Sequence, residues 1–441
     1  MKPASTRRQD HRPGPQPPEA ASPATDAPPR PSGVRHVVVA LALLLGIVLY
    51  LDRAAISVLA PAIRHDLHLG PMAMGGIFTA FVWGYALFNL PAGWLGDRFG
   101  ARRVLAGIVV LWSAFTALTA VAWSLASLLV LRFLFGSAEA GATPTVSQSF
   151  SRWIPVAERA RAQGCYFAGM SAGVGLTPPL VTFCLLRWGW RPTFAMLGVV
   201  GLLWAAAWYL WYRDTPEEHP SVNAAERALL QLPPAASTEA GVNWRKVGKS
   251  RNLWSILLMY FTYGYTGYIY ITWFPTYLME ARHLSTAMAG TLAALPGLLG
   301  MVAKPLGGWV SDRLTESRGL TFGRRSVGMF GFGLAAAVVV PGIFVSNPYL
   351  AVVCLAIGDG AASLAHGVCF AVCIDTGLKR AGIIAGLMLT LGSLGNAASA
   401  LAFGFFLQFT GSWATPFLIG VAANLAGTLL WLNIHPEEQF A

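Results

Sequence analysis

The sequence predicts an all-α polytopic membrane protein with twelve transmembrane helices arranged as two parallel six-helix repeats. Hydrophobic residues make up 55% of the 441 residues and charged residues only 12%, about half the charged share of a soluble domain. The chain divides into apolar segments that are each long enough to cross a bilayer. Short motifs of the first half return in the second half. These three observations define the fold class.

Each part of the chain has a distinct composition. Residues 1–35 hold nine prolines and few aliphatic side chains, so we expect a disordered cytoplasmic tail. Residues 36–213 form the N-terminal six-helix bundle, 214–250 a polar cytoplasmic linker, 251–435 the C-terminal bundle and 436–441 a short tail. The predicted spans are 36–62, 72–95, 103–122, 125–149, 160–184, 191–212, 252–279, 286–310, 326–346, 349–374, 381–409 and 413–434.

Basic side chains are distributed unevenly between the two sides of the predicted membrane. The net charge of +11 is spread over short connections on the side of the amino terminus, so we expect no nucleic-acid partner. The positive-inside rule places both termini in the cytoplasm, most simply at a bacterial inner membrane. Because the five cysteines fall in apolar segments, we expect no metal and no cofactor. No nucleophile with a base and no nucleotide loop stands out, so an enzyme is not predicted.

The two halves carry the same motifs in the same order. Gly93–Arg98 returns as Gly308–Arg313, and Trp190–Phe194 returns as Trp413–Phe417. Two six-helix repeats with a site between them are typical of alternating-access transporters. The charged members of the first motif, candidates for a charge relay that breaks when the halves rock, are Asp97, Arg98, Asp312 and Arg313.

Four charged side chains lie inside predicted spans: Asp52 and Arg53 in the first, and Arg132 and Glu139 in the fourth. A charge at the bilayer centre costs about 2.5–3.5 kcal/mol, so it is expected to face a cavity or a partner. Arg53 and Arg132 reach a similar depth and can form a fork for a carboxylate. A spacing of seven puts Arg132 and Glu139 on one helix face. The alternative is that Arg132 only neutralises Asp52 or Glu139 in a packing ion pair.

Four motifs indicate a family. They are Tyr50-Leu-Asp-Arg53, the segment Phe81–Gly100, the run GWLGDRFGARR from Gly93 to Arg103, and RFLFGSAEAG from Arg132 to Gly141. With them, residues 36–435 resemble the major facilitator superfamily and, within it, the anion:cation symporter family. The aromatic seventh segment is similar to the bacterial sugar-acid branch.

The resemblance implies a proton-coupled symporter that imports an organic anion, such as a sugar acid, by alternating access. Its partners are then the anion, protons and the lipid bilayer, and we expect a monomer. Two alternatives remain open, an exporter or uniporter of the same fold and a transporter-like receptor. The family motifs put the substrate on Arg53, Arg132, Tyr50, Tyr85 and Asn396, and proton coupling on Asp52 and Glu139.

The second half has polar residues of its own. Asp359 and His366 in the tenth segment are spaced by seven, so we expect a second polar element on the cavity face of that helix. Lys304 in the eighth segment is expected to reach toward water at the membrane surface, while a contact with the substrate stays an alternative.

Overall fold

The computed structural model describes residues 31–155, 158–230, 249–377 and 381–438, which form helices and connections without a strand. Most of the predicted disordered tail and the second half of the linker lie outside these ranges. The first bundle comprises α1 (Val34–Asp66), α2 (Pro71–Phe99), α3 (Ala101–Thr119), α4 (Leu125–Glu139), α5 (Ala142–Trp153), α6 (Arg159–Trp188) and α7 (Trp190–Trp211). The linker contains α8 (Ala224–Leu230), and the second bundle comprises α9 (Arg251–Thr272), α10 (Phe274–Glu280), α11 (Thr286–Leu292), α12 (Leu295–Arg318), α13 (Leu320–Phe344), α14 (Pro348–Gly377), α15 (Ala381–Thr410) and α16 (Ala414–Leu432).

Eleven helical segments of the described chain are long and apolar enough to cross a membrane. The remaining span is α9, which has 22 residues and contains several tyrosines that lower its hydropathy. Because α9 packs against α15 and α16 inside the second bundle, it takes the seventh place among twelve spans. The predicted all-α membrane fold with two six-helix bundles is therefore confirmed.

Three spans consist of two consecutive helices. The fourth breaks between Glu139, the last residue of α4, and Ala142, the first of α5. The seventh and eighth spans break just before Pro275 and Pro296, because proline lacks the N–H that would continue the helix. The break in the fourth span places Glu139 at a helix end inside the membrane.

Helices α2 and α4 cross so closely that only glycine fits at the contact. A Cβ atom on Gly84 would overlap the backbone of Phe133, and one on Gly136 would overlap the carbonyl of Phe81. Glycine tolerates this approach because it has no side chain. The crossing holds the Phe81 ring against α4, about one turn from Arg132.

The two bundles meet toward the face of the membrane domain that is opposite the termini, which we call the opposite face. Thr79 of α2 donates a hydrogen bond to the Ala397 carbonyl of α15 at 3.2 Å. Arg64, near the end of α1, contacts both carboxylate oxygens of Glu280 in α10 at 2.7 and 3.0 Å. These contacts close the interior toward the opposite face.

On the face that carries the termini, the termini face, the linker holds the start of α1. The buried Glu226 of α8 accepts hydrogen bonds from the Ser32 hydroxyl and from the backbone N–H groups of Val34 and Arg35. Burial acts to raise the pKa of Glu226, but the hydrogen bonds from Ser32 and Arg35 outweigh it, so the pKa is lowered. Residues 224–230 of the linker are thus ordered, and Glu226 among them caps the start of α1.

Candidate functional site

Arg53 of α1 and Arg132 of α4 converge on the ring of Phe81. The two guanidinium carbons lie 5.0 and 5.1 Å from the centroid of that ring. An Nη of Arg132 also lies 3.5 Å from the backbone oxygen of Arg53. Flat guanidinium groups pack well on aromatic faces. The Phe81 ring of α2, held against α4 by their close crossing, therefore marks the point where Arg53 of α1 meets Arg132 of α4.

Glu139 pairs with Arg53 rather than with Arg132. The Nε of Arg53 donates to the carboxylate at 2.9 Å, and a second Arg53 nitrogen reaches the same oxygen. The Glu139 side chain is 0% exposed. Its other oxygen has no hydrogen-bond partner in the described part of the chain. Arg53, one of the two arginines predicted to bind a substrate carboxylate, is therefore paired with an acid of the protein itself.

Arg132 is the less satisfied of the two arginines. It is 3% exposed, and its Nε has no hydrogen-bond partner among the described residues. The described ion pair of this site is the one between Arg53 and Glu139. A buried cation without hydrogen-bond acceptors is costly. The arrangement does not resemble a packing ion pair centred on Arg132, which was the alternative left by the sequence.

Asp52 is buried next to this pair, with the indole of Trp112 beside its carboxylate. It is 1% exposed, and neither carboxylate oxygen has a hydrogen-bond partner in the described ranges. Its electrostatic neighbours include Glu139 and Arg132. Burying a charged carboxylate without a full set of hydrogen-bond donors is unfavourable. A role of Asp52 in proton coupling stays a prediction.

Two tyrosines complete the surroundings of Arg53 in the first bundle. The guanidinium carbon of Arg53 lies 5.0 Å from the ring centroid of Tyr50 and 5.1 Å from that of Tyr85. From the second bundle, Tyr268 of α9 lies within electrostatic range of Arg53 and Arg132. Sequence reasoning noted the aromatic character of this span but did not single out Tyr268, because nothing in the sequence shows which tyrosine faces the other bundle.

Asn396 of α15 contacts backbone rather than another side chain. With its amide nitrogen oriented toward two backbone carbonyls, Asn396 donates to Gly264 at 2.9 Å and to Gly392 at 3.3 Å. It therefore ties α9 to α15. A contact between Asn396 and a substrate stays a prediction.

The charged motif of the first bundle is described only in part. Asp97 lies in α2, but its side chain is outside the described residues. Arg98 is exposed at the end of the same helix. Further along the motif, the backbone N–H and the Nε of Arg102 donate to Asp214 and to the Tyr209 carbonyl, each at 2.9 Å. The end of α7 is thereby fastened to the start of α3.

In the second bundle, the repeated motif forms a network between three helices. Asp312 of α12 accepts from Arg324 of α13 at 2.7 Å, and Arg324 also donates to Asp375 of α14 at 3.0 Å. Arg313 lies 4.0 Å from Glu316 on its own helix and is 69% exposed. The predicted gate residues of this half thus lie on the termini face, with Asp312 engaged inside its own bundle.

The tenth span places Asp359 and His366 near a third charged group. Both lie within electrostatic range of Lys304 on α12. Lys304 is half-buried, as expected of a lysine whose stem is buried while its ammonium extends toward water; that orientation, and the alternative of a substrate contact, stay predictions. Helices α12 and α14 cross closely at Gly307, where a Cβ atom would overlap the backbone of Leu364.

Comparisons with known proteins agree with this architecture. A sequence profile of the Major Facilitator Superfamily matches residues 42–400. The chain is 34% identical over 406 residues to a probable sulfoacetate transporter of Cupriavidus necator, covering 91% of this chain and 94% of that protein. It is 31% identical over 421 residues to a probable galactarate/D-glucarate transporter of Bacillus subtilis, covering 90% and 91%.

A solved structure shares the fold. The crystal structure of a bacterial homolog to the human lysosomal transporter Spinster, in an inward-facing and occupied conformation, matches with a TM-score of 0.74 at 19% identity. The match covers 91% of this chain and 96% of that one. The sequence relatives named above are transporters rather than enzymes. The chain therefore belongs to the Major Facilitator Superfamily and, within it, to a family of anion transporters.

Proposed function

We propose that the protein is a symporter that imports a small organic anion, a sugar acid or a similar carboxylate, together with protons. The observation that carries this proposal is the buried ion pair of Arg53 and Glu139 beside the incompletely bonded Arg132. Relatives named for sulfoacetate and for galactarate or D-glucarate support a substrate that bears a carboxylate.

The ion pair supplies a mechanism for coupling, because Glu139 and a substrate carboxylate compete for the same guanidinium. While Glu139 is ionised it occupies Arg53. A proton on Glu139 removes its charge and with it the Coulomb attraction between the two buried groups, which weakens that contact. Arg53 can then join Arg132 in binding the substrate carboxylate with paired N–H groups. Binding of the anion and binding of the proton are thereby linked.

Asp52 provides a second place for a proton. One proton with one monoanion moves no net charge across the membrane. A second proton would add about 2.3 kcal/mol of driving force per 100 mV of membrane potential. The carboxylate of Asp52 is buried and accepts no direct hydrogen bond in the described chain, which favours a proton there during part of the cycle.

Alternating access requires the bundles to separate on one face and then on the other. The contacts between Arg64 and Glu280 and between Thr79 and Ala397 close the opposite face. Breaking them would open the site to that side. The basic connections favour a cytoplasmic location of the termini face, at a bacterial inner membrane. In this proposal the conformation described here faces inward.

Thermal unfolding of the purified protein against a panel of carboxylates tests the proposal. An anion at a hundred times its dissociation constant should add about 2.7 kcal/mol to the free energy of unfolding. Arg53→Lys should lose this stabilisation, whereas Arg227→Lys, at an exposed position of α8, should keep it as the matched control. If no carboxylate of the panel stabilises the wild-type protein, the proposed anion specificity is wrong.

A further inference from the structure

A second cluster of titratable side chains lies in the second bundle, between α9, α12 and α14. Its members are Lys304, Asp359 and His366, together with Tyr263 of α9. The crossing of α12 and α14 builds it: a Cβ atom on Gly367, the residue after His366, would lie 3.5 Å from the backbone oxygen of Lys304. Lys304 and His366 therefore lie on facing helices, close to the same crossing point.

The cluster holds donors that the protein does not use. The Nδ1 of His366 is buried and has no hydrogen-bond partner among the described residues. The described salt bridges made by arginines on α12 and α13 belong to Arg313 and Arg324, and Lys304 is not held in one. Its charge acts instead on Asp359 and on His366 at longer range. A half-buried ammonium beside an unsatisfied imidazole is suited to receive an anionic group.

One layer of aromatic rings separates this cluster from the arginines of the first bundle. The His366 ring lies 5.4 Å from that of Tyr263 and 6.4 Å from that of Tyr260, between ring centroids. Both tyrosines are within electrostatic range of Tyr50, whose ring lies 5.0 Å from the guanidinium of Arg53. The cluster therefore lies on the side of the second bundle that faces Tyr50 and Arg53 of the first.

We propose that Lys304, with His366 and Tyr263 as hydrogen-bonding neighbours, forms a second anion subsite. The transported molecule is then a compact dianion with an acidic group at each end. This inference rests on the proposed function, because the first acidic group is the carboxylate held by Arg53 and Arg132.

Asp359 has an opposing role in this subsite. It lies within electrostatic range of both Lys304 and Tyr263, so its carboxylate balances the lysine when the site is empty. An incoming acidic group competes with Asp359 for the same ammonium. Neutralising Asp359 should therefore strengthen binding of a dianion, whereas neutralising Lys304 should weaken it. The opposite signs distinguish the subsite from general damage to the bundle.

The test compares two pairs of compounds on the full-length purified protein by isothermal titration calorimetry. Galactarate and D-galactonate share a carbon skeleton and differ in one terminal carboxylate, while sulfoacetate and acetate differ in one sulfonate. The variants are Lys304→Gln and Asp359→Asn, and Lys249→Gln, exposed at the end of the linker, is the matched control. We expect the wild type and Lys249→Gln to prefer the dianion of at least one pair by tenfold or more. Lys304→Gln should reduce that preference to less than threefold with little change for the monoanion, and Asp359→Asn should increase it.

Other outcomes overturn the inference in distinguishable ways. A wild-type protein that binds the monoanion as tightly as the dianion in both pairs lacks the subsite, although the proposed function stands; this result does not depend on whether the variants fold. An equal loss for both members of a pair in Lys304→Gln would make the lysine structural. A wild-type protein that binds none of the four anions lacks the subsite as proposed, whereas the proposed function is removed only if no carboxylate of the wider panel stabilises the protein either.

Discussion

Replacing Glu139 with glutamine should separate anion binding from proton coupling. In the wild type, two nitrogens of Arg53 donate to one oxygen of Glu139, and an arriving carboxylate must displace that acid. Hydrogen bonds to charged groups contribute about 1.5–3 kcal/mol. If the neutral amide removes about 1.4 kcal/mol of this competition, the affinity for the anion rises about tenfold. The glutamine keeps an oxygen that accepts from Arg53, so the loss of stability should stay below the ~3–5 kcal/mol of a broken buried ion pair.

Two measurements check this prediction. Calorimetric titration at neutral and at acidic pH should show tighter binding that depends less on pH in Glu139→Gln than in the wild type, because the competing acid no longer titrates. In proteoliposomes, exchange of labelled for unlabelled anion should continue while accumulation driven by a proton gradient stops. Wild-type affinity together with an unchanged pH dependence would refute the competition between Glu139 and the substrate.

Three further predictions follow from other contacts. Arg132→Lys should weaken anion binding about tenfold or more, because a point charge does not replace a planar pair of donors, and wild-type affinity in the titration would show that Arg132 only packs. Glu280→Gln removes the charge of the partly exposed ion-pair partner of Arg64 and should weaken the closure of the opposite face. A cysteine in place of the buried Thr79 should then be labelled up to about fivefold faster by a thiol reagent from that face. An unchanged labelling rate would show that this ion pair does not hold the face closed. Glu226→Gln should lower the free energy of unfolding by about 1 kcal/mol at neutral pH, as expected for a lost helix cap. The pKa of Glu226 in the folded protein is lowered from its ordinary 4.5. The stabilisation by Glu226 is therefore present above that value and is lost as the pH falls below it. If chemical unfolding shows the same difference in free energy between wild type and variant at low pH, the assignment is wrong.

The fold was predictable because a bilayer imposes a length and a composition on every span. The predicted segment 191–212 and the observed α7 (Trp190–Trp211) differ by one residue at each end. The two bundles were predictable from the repeated motif at Asp97 and Asp312. Composition alone does not identify the tyrosine-rich α9 as a transmembrane span. Its position between helices of the second bundle identifies it and brings the number of spans to twelve.

The sequence pointed to the buried charged residues Asp52, Arg53, Arg132 and Glu139 but not to the ion pair that two of them form, and their roles in transport stay predictions. A spacing of seven suggested Arg132 and Glu139 as neighbours on one helix face, whereas the structure pairs Glu139 with Arg53. Helix α4 ends at Glu139, and the carboxylate contacts Arg53 of α1, a contact between helices that a spacing within one helix does not reveal. The close crossing of α12 and α14 at Gly307 likewise leaves no local pattern in the sequence. Contacts between distant parts of the chain, such as that between Ser32 and Glu226, leave no periodic signal.

Proton-driven accumulation in proteoliposomes tests the central claim most directly. Vesicles that contain the purified protein are exposed to a labelled form of the carboxylate that stabilises it most, with a proton gradient directed inward and without one. The competition between Glu139 and the substrate for Arg53 predicts accumulation above the external concentration only with the gradient, abolished by a protonophore. Uptake that stops at equal concentrations on both sides under every gradient would contradict proton coupling and leave a facilitator of the same fold.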